Sequence, residues 1–185
     1  AVTDYASDYA AVIYGEDDGL MSSEINAVAQ TSDGYLWAGA YSGLYRYNGS
    51  SFVIINLWNT ESADVYSINC LMQDSSGRVW IGTGNYGLFY LKDGEYKHLE
   101  NEYYDGIKTI TDICETEDGS IFVSTPKGMY ILTDDGDGNV SMMMLMENEL
   151  SGIEFGKIVS DGNVIYAISP PLFFNFSKIS PPFYF

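Results

Sequence analysis

The sequence predicts an all-β fold: a β-propeller built of about four four-stranded antiparallel blades, partial or truncated rather than a complete ring. The first observation behind this prediction is a repeat, since Gly34, Gly77, Gly119 and Gly162 are separated by 43, 42 and 43 residues. The second is that a Leu or Met follows each of these glycines after 10 or 11 residues. The third is that each period contains short apolar runs separated by turn residues, which is the size and pattern of one blade.

The repeats divide a single domain of 185 residues at about 20–58, 63–100, 107–146 and 153–185. In the first repeat the predicted strands are 25–30, 35–40, 44–47 and 52–57. Asn48-Gly49 joins the last two, because both residues tolerate the positive φ of a tight hairpin. The runs do not alternate cleanly between apolar and polar residues, as expected for sheets covered on both faces by neighbouring blades.

An aromatic residue recurs three positions after the turn glycine, as Trp37, Trp80 and Phe122. Because a large ring offers the area that joins two sheets, we predict that these residues pack between adjacent blades. The fourth copy of the repeat matches the other three only weakly. Its turn is Gly162, and Leu172 is predicted to take the position of Leu44.

The two ends of the chain bear on whether the ring closes. Residues 10–14 (AAVIY) are expected to pair into a terminal blade, or to lie against a partner if the ring is incomplete. Pro181-Pro182 would interrupt the hydrogen bonds of a last strand. We therefore expect the chain to stop inside its fourth blade. The open edge then favours self-association through a propeller edge or face.

The composition restricts the partners. Eight Lys and Arg face 26 Asp and Glu, which gives a formal net charge of −18. Such a surface repels phosphate backbones and anionic lipid headgroups, so neither nucleic acid nor a membrane surface is an expected partner. No local basic pocket for an anionic ligand is evident. The 16 Tyr and 3 Trp suit strands, and they also suit a surface that stacks on a neutral oligosaccharide or peptide.

The two cysteines fix no compartment. Cys70 and Cys114 lie in the first strands of adjacent repeats but two positions out of register, which favours free buried thiols over a disulfide. No run reaches the ~18 apolar residues of a membrane helix, so no membrane insertion is expected. No signal peptide opens the sequence, as in a mature exported protein or a trimmed one.

The string GLMSSEINAVAQTSDGYLWAGAYSGLYRYNGSSF, from Gly19 to Phe52, resembles the two-component regulator propeller repeat. That repeat combines Gly-Leu, an Asp-Gly turn, a Trp-x-Gly strand and Gly-Leu-Tyr-x-Tyr. The second copy matches almost as well, the third has lost its Trp, and the resemblance covers about residues 15–132. It implies the extracytoplasmic sensor part of a bacterial membrane signalling protein, periplasmic or extracellular. The kinase or diguanylate cyclase output that would follow is not in this chain.

Candidate chemistry is sparse, and we predict no catalytic residue, no metal site and no cofactor. Residues 135–141 have the alternate oxygen spacing of a calcium loop in Asp135, Asp137, Asn139 and Ser141. Val140 and Met146 stand where that loop needs Gly and Glu, so a plain acidic hairpin is favoured. His98 is the only histidine. Since the sequence offers it no orienting partner, it is predicted to be a surface residue rather than a base.

The predicted binding surface consists of the loops that join the second and third strands of each blade. These loops differ most between repeats, and loops on a rigid scaffold commonly carry function. The candidate ligand-binding residues are Tyr41, Ser42, Asn85, Tyr86 and Lys127. The tyrosines would stack on a sugar or peptide plane, Asn85 would supply an amide, and Lys127 a positive charge. The alternative is that these loops vary without binding anything.

Three classes of function remain open from the sequence. The favoured one is a non-catalytic sensor or ligand-binding module. The second is a protein-interaction or dimerisation propeller without a small ligand. The third is a lyase on a propeller scaffold, which a single histidine without a partner disfavours.

Overall fold

The computed structural model describes residues 10–22, 24–55, 66–99, 107–135 and 139–177. Within them lie four separate antiparallel sheets in which each strand pairs with the next one along the chain. We call these sheets blade 1 to blade 4. Fifteen strands, one α-helix of four residues and a 3-10 turn at Glu16–Asp18 account for the regular structure of these described residues.

The strands are short and follow the repeat. Blade 1 contains β1 (Ile25–Gln30), β2 (Leu36–Ala40), β3 (Gly43–Tyr47) and β4 (Phe52–Ile55). Blade 2 contains β5 (Ile68–Gln73), β6 (Val79–Thr83), β7 (Leu88–Lys92) and β8 (Glu95–His98). Blade 3 contains β9 (Asp112–Glu115), β10 (Ile121–Thr125), β11 (Gly128–Asp134) and β12 (Val140–Met144). After helix α1 (Glu147–Leu150), blade 4 contains β13 (Ile158–Asp161), β14 (Val164–Ser169) and β15 (Leu172–Ser177).

The blades are arranged around their first strands. β5 lies beside β1, β9 beside β5, and β13 beside β9. Within the described residues, no comparably extensive contact joins β13 back to β1. The predicted fold class is therefore confirmed: the chain is all-β, and its blades form a partial propeller rather than a closed ring.

Three apolar interfaces join successive blades, and we call them seams 1–2, 2–3 and 3–4. Each blade has a following face, which packs on the next blade, and a preceding face, which packs on the one before. Trp37 and Leu44 of blade 1 meet Ile68, Ile81 and Phe89 of blade 2 in seam 1–2. Seam 2–3 forms around Trp80, and seam 3–4 forms around Met129 and Phe155.

The recurrent aromatic residues fill these seams, as predicted. Trp37 is 3% exposed and Trp80 is fully buried. Phe122 is partly buried against the cluster of seam 3–4. The indole N–H groups also find partners: Trp37 donates to Thr31 Oγ1 at 3.1 Å and Trp80 donates to Asp74 Oδ2 at 2.8 Å.

The two cysteines are free and buried, as predicted, and they lie in different seams. Cys70 belongs to the core of seam 2–3 and Cys114 to that of seam 3–4. Burial raises the pKa of both thiols, that of Cys114 to about 12.

The fourth repeat is shifted by one residue from the alignment that the sequence predicts. In blade 3, seven residues separate the paired Cys114 and Phe122, whereas six separate the equivalent pair in blade 4, Val159 and Tyr166. Ile165 and Ala167 face blade 3. The sequence alignment instead places Ile165, three residues after Gly162, at the position of Trp37 on the following face. The reason is a loop one residue shorter, which moves alternate side chains to the other face.

The strand pairing shows which residues of blade 4 correspond to those of the other blades. Tyr166 lies opposite Val159 as Phe122 lies opposite Cys114. Phe173 lies opposite Ile168 as Met129 lies opposite Ser124. The counterpart of Leu44 in blade 4 is therefore Phe173, and the prediction of Leu172 was wrong.

The prediction that residues 10–14 pair into a terminal blade is also wrong, since they form no strand. Tyr14 instead packs on the preceding face of blade 1, with its ring 5.1 Å from Tyr47 and 5.6 Å from Phe52. Leu20 joins the same cluster. Val12 and Ile13 are exposed. The predicted interruption at Pro181-Pro182 lies outside the described residues.

Candidate functional site

The predicted ligand-binding residues all lie at one end of the blades, where the second and third strands join. Ala40 pairs with Gly43 around Tyr41 and Ser42, and Thr125 pairs with Gly128 around Pro126 and Lys127. Asn85 and Tyr86 belong to the longer loop between β6 and β7. Within the described part of the chain, no hydrogen bond joins any two of the five candidates. The structure thus places them on one surface without linking them directly.

Tyr41 is the most exposed aromatic residue of this loop surface, at 64% of its area. Its backbone carbonyl accepts a hydrogen bond from the Ser67 amide at 2.8 Å, which ties the loop to the start of blade 2. Ser42 is half-buried, and its hydroxyl lies 2.8 Å from the Tyr45 hydroxyl. The ring of Tyr41 is therefore accessible, whereas Ser42 is already engaged inside blade 1.

Asn85 and Tyr86 differ in the same way. Asn85 is exposed. Tyr86 is partly buried against the core of seam 1–2, and its amide donates to Thr83 Oγ1 at 2.8 Å. Tyr86 is therefore in part a packing residue, which the sequence did not indicate. Lys127 is exposed, and its amide donates to Thr125 Oγ1 at 3.0 Å.

Each of these loops is tied to the segment that leads into the next blade. Thr109 donates from Oγ1 to the Gly84 carbonyl at 2.7 Å, and the Gly152 amide donates to the Lys127 carbonyl at 2.8 Å. The Phe155 amide donates to the Thr125 carbonyl at 3.0 Å. Because such bonds restrain the loop backbones, the loop surface is preorganised.

The sequence reasoning missed a set of polar side chains beside these loops, at the start of the first strands. Asn26 and Asn69 sit at bulges in β1 and β5. The Asn26 amide donates to the Ile68 carbonyl at 3.1 Å, and the Asn69 amide donates to the Ile110 carbonyl at 2.9 Å. Each asparagine thus joins its blade to the next. The recurrence of Ile-Asn at 25–26 and 68–69 was the signal that could have identified them.

In blade 3 the polar contact with the next blade comes from an acid one position further along, Asp112, which pairs with Ser124 as Ala27 pairs with Gly39. Asp112 Oδ2 accepts from the Ile158 amide at 3.1 Å, and its Oδ1 lies 3.5 Å from Lys157 Nζ. This pair adds a negative group and a positive group to the loop surface. The amide oxygens of Asn26 and Asn69 accept no hydrogen bond from the described residues, which leaves two acceptors on the surface for ligand donors.

Two clefts lie at the opposite end of the blades, around Arg78 and Asp134, whose side chains are 2.9 Å apart. One cleft of about 270 Å³ is lined by Arg78, Tyr90, Lys92, Asp93, Glu95, Lys97 and Asp134. Three basic side chains come together there, but three acidic ones accompany them. The formal charges of the basic and acidic side chains that line this cleft therefore cancel.

His98 is not the surface residue that the sequence predicts. Its ring is half-buried and stacks on Phe89, with centroids 4.3 Å apart and planes 16° apart. Its Nε2 lies 2.7 Å from the Tyr86 carbonyl. The reason is that β8 turns this side chain towards its neighbour in the ladder, opposite Phe89.

The hairpin with the oxygen spacing of a calcium loop is only partly described, because Asp137 lies outside the described residues. Asp135 accepts hydrogen bonds from the Asn139 amide at 3.1 Å and from its side chain at 2.8 Å. The Ser141 hydroxyl lies 2.8 Å from that of Thr133. These contacts are those of an acidic hairpin. Among the described residues, no group of three His, Cys, Asp or Glu is placed to hold a metal ion.

One family model matches two segments of the chain. Residues 19–42 and 63–85 match the family model described as Two component regulator propeller. These two segments are similar to the repeats of that family. They comprise the start of blade 1 with its first hairpin, and the corresponding part of blade 2.

Solved structures share this fold. The extracellular domain of a B. thetaiotaomicron protein described as a hybrid two component system aligns with a TM-score of 0.66 and 23% identity, over 86% of this chain and 23% of that one. The extracellular domain of a B. thetaiotaomicron protein described as a one component system aligns with a TM-score of 0.65 and 23% identity, over 82% and 21%. Virginiamycin B lyase from Staphylococcus aureus aligns with a TM-score of 0.53 and 18% identity, over 85% and 56%.

The chain spans less than a quarter of the length of the two B. thetaiotaomicron domains. No curated protein matches it significantly. In the part of the chain that the structure describes, no helix has the length and apolar character needed to cross a bilayer.

Proposed function

We propose that this chain is part of a non-catalytic, extracytoplasmic sensor propeller that binds a neutral oligosaccharide or peptide on its loop surface. The observation that carries the proposal is the match of residues 19–42 and 63–85 to two-component regulator propeller repeats. The similar B. thetaiotaomicron domains are extracellular parts of signalling systems. Ligand occupancy would pass to a kinase or cyclase output outside this chain.

The loop surface suits such a ligand. Tyr41 offers an exposed ring for stacking, and Asn85 offers an exposed amide. Asn26, Asn69 and Asp112 offer acceptors for hydroxyl or amide donors nearby. A net charge of −18 disfavours anionic ligands, so the neutral members of these classes are favoured.

A propeller lyase is the weaker candidate. Virginiamycin B lyase shares the fold at 18% identity. The only histidine of this chain, His98, lies beside the loop surface but is engaged in packing, since its ring stacks on Phe89 and its Nε2 lies 2.7 Å from the Tyr86 carbonyl. A protein-interaction module without a small ligand is the other alternative. The ligand titrations described next distinguish it from the sensor.

The test is calorimetric titration with neutral hexasaccharides (malto-, cello-, xylo- and manno-) and neutral tetrapeptides. We expect at least one probe to bind. Tyr41→Ala combined with Asn85→Ala should then weaken binding at least tenfold with an unchanged melting temperature, because both side chains are exposed. A further variant tests the contribution of Tyr86 to binding. Tyr86→Phe is used rather than Tyr86→Ala, because the Tyr86 ring also packs in seam 1–2.

The matched control replaces two exposed side chains on outer strands, Met143→Ala with Glu95→Ala. It should leave both binding and melting temperature unchanged. Full-strength binding by the Tyr41/Asn85 variant would exclude this surface. Failure of every probe to bind the wild-type chain would favour the interaction module.

A further inference from the structure

Two clefts border seam 2–3 at the end of the blades opposite the loop surface. The larger one, of about 270 Å³, lies between the outer strands of blade 2 and Asp134 of blade 3, and we call it the turn cleft. Both of its walls belong to blades that pack on each other in the described structure. The cleft is therefore a feature of an internal seam, and it does not depend on what lies before blade 1 or after blade 4.

The strand pairing of blade 2 brings both signs of charge to this cleft. Lys92 lies opposite Glu95 in the ladder between β7 and β8. Lys97 lies opposite Tyr90, which is buried in seam 2–3. Opposite residues share one face of a sheet, as do alternate residues along a strand, so all four side chains are on the face turned towards blade 3. Asp93, in the turn between the two strands, also lines the cleft.

The charged groups of this hairpin are not engaged with one another. Lys92, Asp93, Glu95 and Lys97 are exposed, and none of them forms an ion pair with a described residue. The whole chain has eight Lys and Arg, and three of them line this one cleft. Ammonium and carboxylate groups are therefore both available to a ligand.

Arg78 supplies a fixed donor at the wall of the cleft. Its Nε donates to Asp74 Oδ2 at 2.7 Å, and its Nη1 donates to Asp134 Oδ2 at 2.9 Å. The guanidinium carbon lies 5.2 Å from the centroid of the Trp80 ring. Three contacts thus hold the side chain, whereas its other terminal nitrogen, Nη2, donates to no described residue. Because a group that is already fixed loses little conformational entropy on binding, Arg78 is a preorganised anchor.

The charges of the turn cleft favour a zwitterionic ligand. A purely anionic ligand would meet the net charge of −18, and a cationic one would meet three basic side chains in the cleft itself. A zwitterion carries no net charge, and each of its ends gains charge-assisted hydrogen bonds, which are stronger than neutral ones. An extended dipeptide spans about 7 Å, which is the scale of a cleft of about 270 Å³.

We propose that the turn cleft binds an unblocked dipeptide through both of its charged ends. The ligand carboxylate lies against Lys92, Lys97 and Nη2 of Arg78. The ligand ammonium group lies against Asp93 and Glu95. This is a second site, at the opposite end of the blades from the loop surface, and it does not rest on the sensor proposal. The two ion pairs of Arg78 stay in place, so ligand binding needs no rearrangement of seam 2–3.

The test is a titration of the isotope-labelled 185-residue chain with alanylalanine, followed through the backbone amide chemical shifts. We expect saturable shifts in residues 92–97, and no shifts at Tyr41 or Asn85 on the loop surface. N-acetylation and C-terminal amidation each remove one charge of the dipeptide, so each should weaken binding at least tenfold. The doubly blocked dipeptide should bind most weakly.

Two double variants test which side chains hold which end of the ligand. Lys92→Gln with Lys97→Gln should lose most of the preference for the free over the amidated dipeptide, because its carboxylate partners are gone. Asp93→Asn with Glu95→Gln should lose most of the preference for the free over the N-acetylated dipeptide. All four residues are exposed, and asparagine accepts the φ of 52° at position 93, so melting temperatures should not change.

Lys127→Gln with Glu149→Gln is the matched control, since it removes one exposed charge of each sign outside the cleft. It should bind alanylalanine like the wild-type chain, as should Tyr41→Ala with Asn85→Ala, whose binding defect is expected only for ligands of the loop surface. Absence of saturable binding to the wild-type chain would overturn the proposal. Equal binding of the free and doubly blocked dipeptides, or shifts confined to the loop surface, would overturn it as well.

Discussion

At the scale of single residues, the Trp positions of blades 1 and 2 have different polar supports. Trp37 donates to the hydroxyl of Thr31, whereas Trp80 donates to the carboxylate of Asp74. Asp74 also accepts from Arg78 Nε at 2.7 Å, and its side chain is 1% exposed. Burial alone would raise the pKa of Asp74, but hydrogen bonds from Arg78, Ser76 and Trp80 outweigh it and lower that pKa.

The prediction at this scale concerns Asp74→Asn, which removes the charge but keeps the shape. It should lower the free energy of unfolding by about 2 kcal/mol at neutral pH, because hydrogen bonds to a charged partner are lost. A lowered folded-state pKa means that the ionised group stabilises the fold above the ordinary value of 3.8, and that this contribution is lost as pH falls through the lower folded value. Urea unfolding between neutral pH and pH 3 should therefore show a shallower acid loss in the variant.

Asp134→Asn is the matched control, since it removes the second carboxylate partner of Arg78. Its side chain is 41% exposed, so the change should cost less than about 1 kcal/mol. Equal losses in the two variants would mean that Arg78, rather than the buried contact with Trp80, makes Asp74 important.

At the scale of strands, the glycine two positions after each Trp sets how closely two blades approach. A Cβ at Gly39 would lie 2.5 Å from Ile68 Cγ2 of the next blade. One at Gly82 would collide with Cys70 Sγ and lie 2.7 Å from Ile110 Cγ2. In blade 3 the position is Ser124, whose hydroxyl donates to the Gly156 carbonyl at 2.8 Å. The Trp-x-Gly pattern therefore encodes a close sheet-to-sheet contact.

We predict that Gly82→Ala lowers the free energy of unfolding by about 1–3 kcal/mol through overpacking of seam 2–3. Cys70→Ala should partly rescue it, because one of the two colliding side chains is shortened, and a double-mutant cycle should give a favourable coupling energy. Gly15→Ala is the control, since a Cβ there meets nothing within 4 Å. Additive effects of the two substitutions in seam 2–3 would contradict this account.

The sequence predicted the fold and its seams because spacing carries that information. Trp37, Trp80 and the turn glycines recur at fixed intervals, and each has one structural role. The register of blade 4 could not be read this way, since a hairpin one residue shorter leaves the interval from Gly162 to Leu172 looking regular. The packing of His98 and of Tyr86 also escaped prediction, because each depends on contacts across the ladder or the seam.

The candidate loop surface was predictable in position but only partly in detail. Repeat alignment located Tyr41, Asn85 and Lys127 on exposed hairpins. It did not show that Ser42 is engaged by Tyr45. The polar groups of Asn26 and Asn69 lie beside these loops because a bulge in β1 and in β5 turns them towards the next blade, and the recurrence of Ile-Asn at 25–26 and 68–69 is the trace that these bulges leave in the sequence.

At the scale of the whole molecule, the described residues form a linear array of blades in which extensive contacts join each blade only to its neighbours. In such arrays stability is approximately the sum of unit and nearest-neighbour contributions. Blade 2 is covered on both faces, whereas blade 4 is covered on one. We therefore expect blade 4 to open by itself more often than blade 2.

The placement of the two thiols turns this difference into a measurable order of events. Cys114 becomes reactive when blade 4 detaches, whereas Cys70 requires separation of blades 2 and 3. Alkylation of the native chain, followed peptide by peptide with mass spectrometry, should label Cys114 before Cys70. Equal rates would indicate all-or-none opening of the array. The alkylation rate of Cys114 thus reports how often blade 4 detaches, and that of Cys70 reports how often blades 2 and 3 separate.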